Sequence, residues 1–124
     1  MNSTLKLIIG ISLIIGLFSC KKNQTGGKGS VKGVVEHHGK AIADAYVYIK
    51  FNATEFPGDD YTHYDTYVKA DANGNYSIAF YKGSYYLYVK GFDMDIPYPF
   101  EVKGGLSVSL RNKENLTKNI SVTE

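Results

Sequence analysis

From residue 30 onward, apolar and polar side chains alternate in short runs separated by turn residues. A period of two sends successive side chains to opposite faces of a strand. SVKGVVE (30–36) predicts a first strand and AYVYIKF (45–51) a second. YTHYDTYVKA (61–70), NYSIAFY (75–81) and SYYLYVKG (84–91) predict the next three. LSVSL (106–110) and LTKNISVTE (116–124) predict a closing hairpin around RNKEN. Between them lie the turns HHGK (37–40) and DANG (71–74), the latter suited to a hairpin because Asn-Gly accepts positive φ. Two loops, 52–60 and 92–100, carry Pro57-Gly58 and the pair Pro97 and Pro99, which interrupt a ladder. No segment after the N-terminus has a helical period. Seven strands at this spacing predict an all-β sandwich.

Lysines orient the strands, because an unpaired lysine is rarely buried. In the second strand Tyr46, Tyr48 and Lys50 share a face, and Ala45, Val47 and Ile49 take the other. In the fifth, Tyr86, Tyr88 and Lys90 share a face opposite Tyr85, Leu87 and Val89. The lysine faces are predicted to be wet. The predicted core is Val31, Val35, Ala45, Val47, Ile49, Tyr76, Ile78, Phe80, Tyr85, Leu87, Val89, Leu106, Val108, Leu110, Ile120 and Val122. Each such side chain contributes about 1.5–3 kcal/mol when fully buried.

The N-terminus departs from this alternation. Lys6 precedes an apolar run from Leu7 to Phe18, which is shorter than the roughly 20 residues of a spanning helix. A basic start, a short apolar stretch and a small residue before the break describe a secretory signal over residues 1–19. Cys20 is the single cysteine, so no intrachain disulfide forms. Leu17-Phe18-Ser19-Cys20 resembles a bacterial lipoprotein box, in which the cysteine carries acyl chains such as palmitate. Residues 20–30 are Gly-rich and basic and predict a lipidated, flexible tether. Residues 31–124 are one domain's worth of chain.

The segments GSVKGVV, GKAIADAYVYI, ADANGNYSIAFYKGSYYLYVKGF and VKGGLSVSL together resemble the carboxypeptidase regulatory-like domains, also called transthyretin-like or prealbumin-like. The resemblance spans most of residues 30–124. It implies a seven-stranded Greek-key sandwich in which the second and fifth strands are sheet neighbours. Family members serve as accessory domains of peptidases and outer-membrane receptors, as stalk repeats and as small lipoproteins. The neighbouring strands would set Tyr46, Tyr48, Tyr86 and Tyr88 side by side, flanked by the third strand. Two readings of those rings stand. Cross-strand aromatic pairs stabilise a sheet by roughly 0.2–1 kcal/mol each, and tyrosine also favours contact surfaces.

Charge and motifs narrow the function classes. The chain has 14 basic and 12 acidic residues, with no block of like charge beyond the tether, so no nucleic-acid partner is expected. Asp71, Asn73 and Asn75 alternate like calcium ligands, but the distal Glu is missing and a hairpin turn accounts for them. His37 and His38 adjoin Gly39 in the predicted turn and are expected to be exposed; adjacent residues of an extended chain point apart, so no shared metal is expected there, and His63 lies on the third strand. Asp59, Asp60, Asp93 and Asp95 read as ordinary loop carboxylates. No Ser or Cys pairs with a histidine base in a recognisable motif. Lys32 and Asn119 sit suggestively for an isopeptide bond, but the fifth strand lacks the acid that catalyses it.

The sequence thus predicts a non-enzymatic, cofactor-free binding or adhesion module, held at the membrane by lipid on Cys20. Its candidate face is Tyr46, Tyr48, Tyr86 and Tyr88, with a protein or glycan partner. The alternatives are a structural accessory subunit of a larger outer-membrane complex and a glycan-binding surface lipoprotein. The expected location is the cell envelope, lipid-anchored at the outer membrane; the face is left open between periplasm and surface, with the lack of an acidic cluster after Cys20 favouring the periplasm.

Overall fold

A computed structural model describes residues 21–124. The expected signal segment and Cys20 lie outside the described residues. Strands β1 (Thr25–His37), β2 (Lys40–Ala41), β3 (Tyr46–Phe51), β4 (Thr66–Lys69) and β5 (Asn75–Phe80) are followed by β6 (Gly83–Phe92), β7 (Glu101–Leu110), β8 (Asn115–Thr117) and β9 (Ile120–Ser121). Among the described residues the helical content is one 3-10 turn at Tyr61–His63. The architecture is all-β in two sheets, consistent with a sandwich. Among the described residues there are nine strands where seven were predicted, because β2 is a two-residue addition and the last expected strand is divided into β8 and β9.

The first sheet is built on β1, with β5 antiparallel to it through Val31↔Ile78 and Gly33↔Tyr76. β2 pairs with the end of β1. β8 and β9 run parallel to β1, through Val31↔Leu116 and Val35↔Ile120. The second sheet has the order β4-β3-β6-β7. The predicted closing hairpin therefore does not form: β7 pairs with β6, and the chain then crosses to the first sheet. A period of two fits either partner, and five intervening residues do not choose between them. An isolated bridge, Lys103↔Thr123, ties the crossing chain back to β7.

Burial follows the alternation. In β5 it is strict, with Tyr76, Ile78 and Phe80 buried and the residues between them exposed. Every predicted core residue is buried except Leu106, which is partly exposed but packs on the core. Ile42, Ala70 and Val102 complete the core from the strand flanks and β7.

The expected tether ends earlier than its composition suggests. β1 begins at Thr25, so residues 25–30 are strand and not spacer. Asn23 N donates to Lys82 O at 2.8 Å and Tyr81 N donates to Gln24 O at 2.9 Å. The glycines here permit close approach: a Cβ on Gly27 would stand 2.3 Å from the Phe80 carbonyl oxygen. The third predicted strand is also shorter, since Asp60 accepts from Thr62 N at 2.9 Å and caps the 3-10 turn that precedes β4.

Candidate functional site: an aromatic face with a folded-back loop

The β3–β6 register sets Tyr46 opposite Lys90, Tyr48 opposite Tyr88 and Lys50 opposite Tyr86. On the other side of β3, Tyr67 lies opposite Tyr48 and Lys69 opposite Tyr46. One outer face therefore carries all four tyrosines named from sequence, with Tyr67 as a fifth. Tyr46 and Tyr48 stack with ring centroids 6.2 Å apart, and Tyr67 tilts against both.

This face is not flat and open. The segment 52–65 turns back across it. Phe56 packs on Tyr88 at 5.1 Å and on Tyr86 at 5.8 Å. Tyr64 stacks on Tyr88 at 5.7 Å, and Tyr61 stacks on Tyr48 at 5.9 Å. Tyr88 is consequently only 3% exposed, so it is not the available ring that its outward direction suggested. The side chain faces away from the core, as Lys90 indicates, but the loop covers it. Phe56 lies in the Pro-Gly loop, whereas Tyr61 and Tyr64, expected on the third strand, precede β4 and belong to the cover.

Polar contacts fix the loop. Tyr88 Oη donates to Asp59 Oδ1 at 2.5 Å, and Lys103 Nζ lies 3.6 Å from the same oxygen. Tyr64 Oη donates to the Gly58 carbonyl at 2.9 Å. Phe51 N donates to Asp65 Oδ2 at 2.7 Å, holding the far end of the loop. The Tyr88 hydroxyl, then Lys103, holds the Asp59 carboxyl below its ordinary range. Burial, then the Asp59 hydrogen bond, pushes the Tyr88 hydroxyl up. Burial pushes Tyr64 up to about 12, and burial with its tyrosine neighbours raises Tyr48. The raised hydroxyls therefore stay neutral near pH 7 and serve as hydrogen-bonding groups on apolar rings.

The folded-back loop leaves a hollow on each side. One, of about 330 Å³, is lined by Tyr46, Tyr48, Tyr61, Tyr64, Asp65 and Tyr67. The other, of about 390 Å³, is lined by Phe56, Asp59, Tyr86, Lys103, Gly104 and Gly105. Neither lining includes a histidine or a cysteine. Such walls suit non-covalent contact, with rings for area and hydroxyls for orientation.

The other sequence candidates resolve separately. Asp71 Oδ1 accepts from Asn73 N at 2.8 Å and Asn75 N at 2.9 Å, so that carboxylate closes its own turn. Asn119 Oδ1 accepts from Val34 N at 3.0 Å. His37, expected to be exposed, is 3% exposed, and Nδ1 shares a 2.8 Å hydrogen bond with Asp93 Oδ2. Asp93, expected to be an ordinary loop carboxylate, is 5% exposed. Turn composition disguised both, since the partners are distant in sequence and meet only when β6 and β1 end at the same rim of the fold.

No family model matches the chain, and no curated protein matches it. Among solved structures, a DUF3823 family protein from Parabacteroides merdae ATCC 43184 is similar, with 20% identity and a TM-score of 0.47. The similarity covers 77% of this chain and 45% of that one, so this chain spans less than half of that protein's length.

Proposed function

We propose that the chain is a non-enzymatic, lipid-anchored binding module of the bacterial envelope that holds a protein partner in the Tyr46–Tyr61–Tyr67 hollow. In this reading the sandwich is the Greek key of the carboxypeptidase regulatory-like family, with β2 and the divided final strand as additions. Cys20 carries the lipid, and the outer membrane is the site of attachment.

One observation carries the proposal. Tyr46, Tyr61 and Tyr67 are 40%, 59% and 58% exposed, yet their rings are packed within the cluster around Tyr48. Rings already held in place lose little freedom when a partner covers them. A protein is favoured over a glycan because the hollow adjoins β4, the end strand of its sheet. Among the described residues no strand pairs with the outer side of β4, so an incoming segment can add to that edge while an anchor side chain enters the hollow. An accessory subunit of a larger outer-membrane complex would use this same surface.

The test is capture from solubilised membranes with wild-type protein and with the double variant Tyr46→Ser, Tyr67→Ser. The expected result is one stoichiometric protein partner, lost in the variant while the melting temperature is kept. Retention on polysaccharide with no protein captured overturns the protein-partner reading. Metabolic labelling of Cys20→Ser with a fatty-acid probe tests the anchor, and label on that variant overturns it. Protease shaving of whole cells assigns the periplasmic or outer face.

A further inference from the structure

Where β1 ends, two adjacent histidines converge. Adjacent strand residues point apart, but His38 leaves the strand with φ +51° and its ring returns toward its neighbour. The His37 and His38 ring centroids are 4.0 Å apart. Glu124 is brought to the same place by β9 and the segment after it: Val122 N donates to Glu36 O at 2.9 Å, and Thr123 exchanges two backbone bonds with Lys103. One ligand atom from each of His37, His38 and Glu124 lies within 4.8 Å of the others.

The decisive feature is how His37 is held. His37 is buried, at 3% exposure, and Nδ1 is occupied by Asp93 at 2.8 Å. Asp93 in turn accepts from Lys40 Nζ at 2.7 Å and from Asp95 N at 3.0 Å, so it is fixed as an acceptor. Lys40 also pairs with Asp95. In a neutral imidazole, a carboxylate acceptor on Nδ1 favours the proton there and leaves Nε2 with a free lone pair. Among the described residues no hydrogen bond reaches Nε2, and its acidic neighbour is Glu124 Oε1 at 4.0 Å. A buried carboxylate on one imidazole nitrogen with the other nitrogen directed at further ligands is the arrangement that orients metal-binding histidines.

We propose that His37 Nε2, His38 and Glu124 bind a zinc ion, with Asp93 as the positioning residue for His37. Two imidazoles and a carboxylate match zinc's preference for nitrogen and oxygen donors, and three protein ligands leave a fourth position for water or a partner's side chain. Zinc ligands at about 2.0–2.1 Å stand roughly 3.3 Å apart in a tetrahedron. Closing from the present spacing requires rotation of His38 and Glu124, both exposed, around a His37 that does not move. The site is separate from the aromatic hollow and does not depend on the function proposed for it.

The experiment is a zinc titration of the metal-stripped full chain against a chromophoric zinc indicator, with melting followed in parallel. One equivalent is expected to bind, and zinc is expected to raise the melting temperature by mass action. Asp93→Asn should weaken binding by about tenfold to a hundredfold, the usual effect of losing a carboxylate behind a ligating histidine. Because Asp93 is buried, that variant can lose fold as well, so His38→Ala and Glu124→Gln, both at exposed positions, carry the decision. Each should weaken zinc binding at least as much as Asp93→Asn while leaving the zinc-free melting temperature in place. Absence of a stoichiometric site in the wild type overturns the proposal, as does unchanged affinity in the doubly substituted His38→Ala, Glu124→Gln chain. Either result leaves His37–Asp93 as a purely structural clamp.

Discussion

The hydroxyl of Tyr88, on the outward side of β6, donates a 2.5 Å hydrogen bond to Asp59 in the loop folded across it. Loop and sheet thereby form one surface, and the bond is the polar pin beneath the Phe56 and Tyr64 rings. Tyr88→Phe keeps the ring stacking and removes the pin. The expected outcome is faster proteolysis within residues 52–65, with a far smaller change in the global melting temperature. A depressed carboxylate contributes stability above its unfolded pKa, and that contribution disappears as pH falls through its lower, folded value. Asp59 is such a group. The loop should therefore stay protected from neutral pH down to the ordinary carboxylate range near 4 and open below it. Asp59→Asn should abolish that acid dependence, as followed by limited proteolysis with an acid-active protease.

The tyrosines divide into two energetic classes that a melting experiment separates. Tyr85 is fully buried, stacks on Phe80 at 4.0 Å and donates toward Tyr81 O at 2.6 Å and Gln24 O at 3.1 Å. Tyr85→Ala should cost about 3–5 kcal/mol, as large-to-small changes at buried aromatic sites do. Tyr46→Ser and Tyr67→Ser should each cost about 1 kcal/mol or less, the range of a cross-strand pair on an exposed face. Comparable losses at Tyr46 and Tyr85 in denaturant unfolding would mean that the outer rings serve the sheet and not a partner.

What the chain discloses before folding depends on range. Strand positions and facing were legible because alternation and the marks of Lys50 and Lys90 are local, and β3 and β6 are the sheet neighbours that the resemblance implied. The covering of Tyr88 was not legible, because a loop's composition does not say where the loop lies. Nor was the burial of His37, since its partner Asp93 is 56 residues away. The parallel seating of β8 and β9 on β1 escaped for a third reason: their alternation fits a hairpin with β7 equally well. Local chemistry thus defined the ingredients of the aromatic face, and long-range docking decided which rings remain available.

Residues 21–29 provide a test of where the domain begins. A flexible tether contributes nothing to folding, whereas a strand with Thr25↔Phe80 pairing and the Asn23 and Gln24 backbone bonds does. Deleting residues 21–29 should lower the melting temperature, at about 4–8 °C for each kcal/mol in a domain of this size. Gly27→Ala isolates the effect, because the added Cβ meets Phe80 backbone at 2.3 Å and forces β1 off β5. Overpacking of this kind costs about 1–3 kcal/mol. Melting temperatures unchanged by both alterations would restore the tether to its compositional reading.

The DANGN turn allows calcium and hairpin roles to be told apart. Asp71 Oδ1 is engaged by the amides of Asn73 and Asn75, Asp71 N donates to Asn75 O at 2.9 Å, and Gly74 N donates to Asp71 O at 3.0 Å. The Asn75 and Asn73 amides hold the Asp71 carboxyl below its ordinary range. A calcium ion would have to draw that oxygen away from two donors, and among the described residues Asp71 belongs to no group of three His, Cys, Asp or Glu side chains close enough to share an ion. Millimolar calcium should therefore leave the melting temperature unchanged. Asp71→Ala should lower it by freeing both amides at the turn, while Asp71→Asn, which keeps an acceptor oxygen, should recover most of the loss. Gly74 has φ +76°, and a Cβ there would stand 3.0 Å from Val35 O, so Gly74→Ala should also destabilise the β4–β5 connection. A calcium-dependent rise in melting temperature that Asp71→Asn removes would instead assign the turn to the ion.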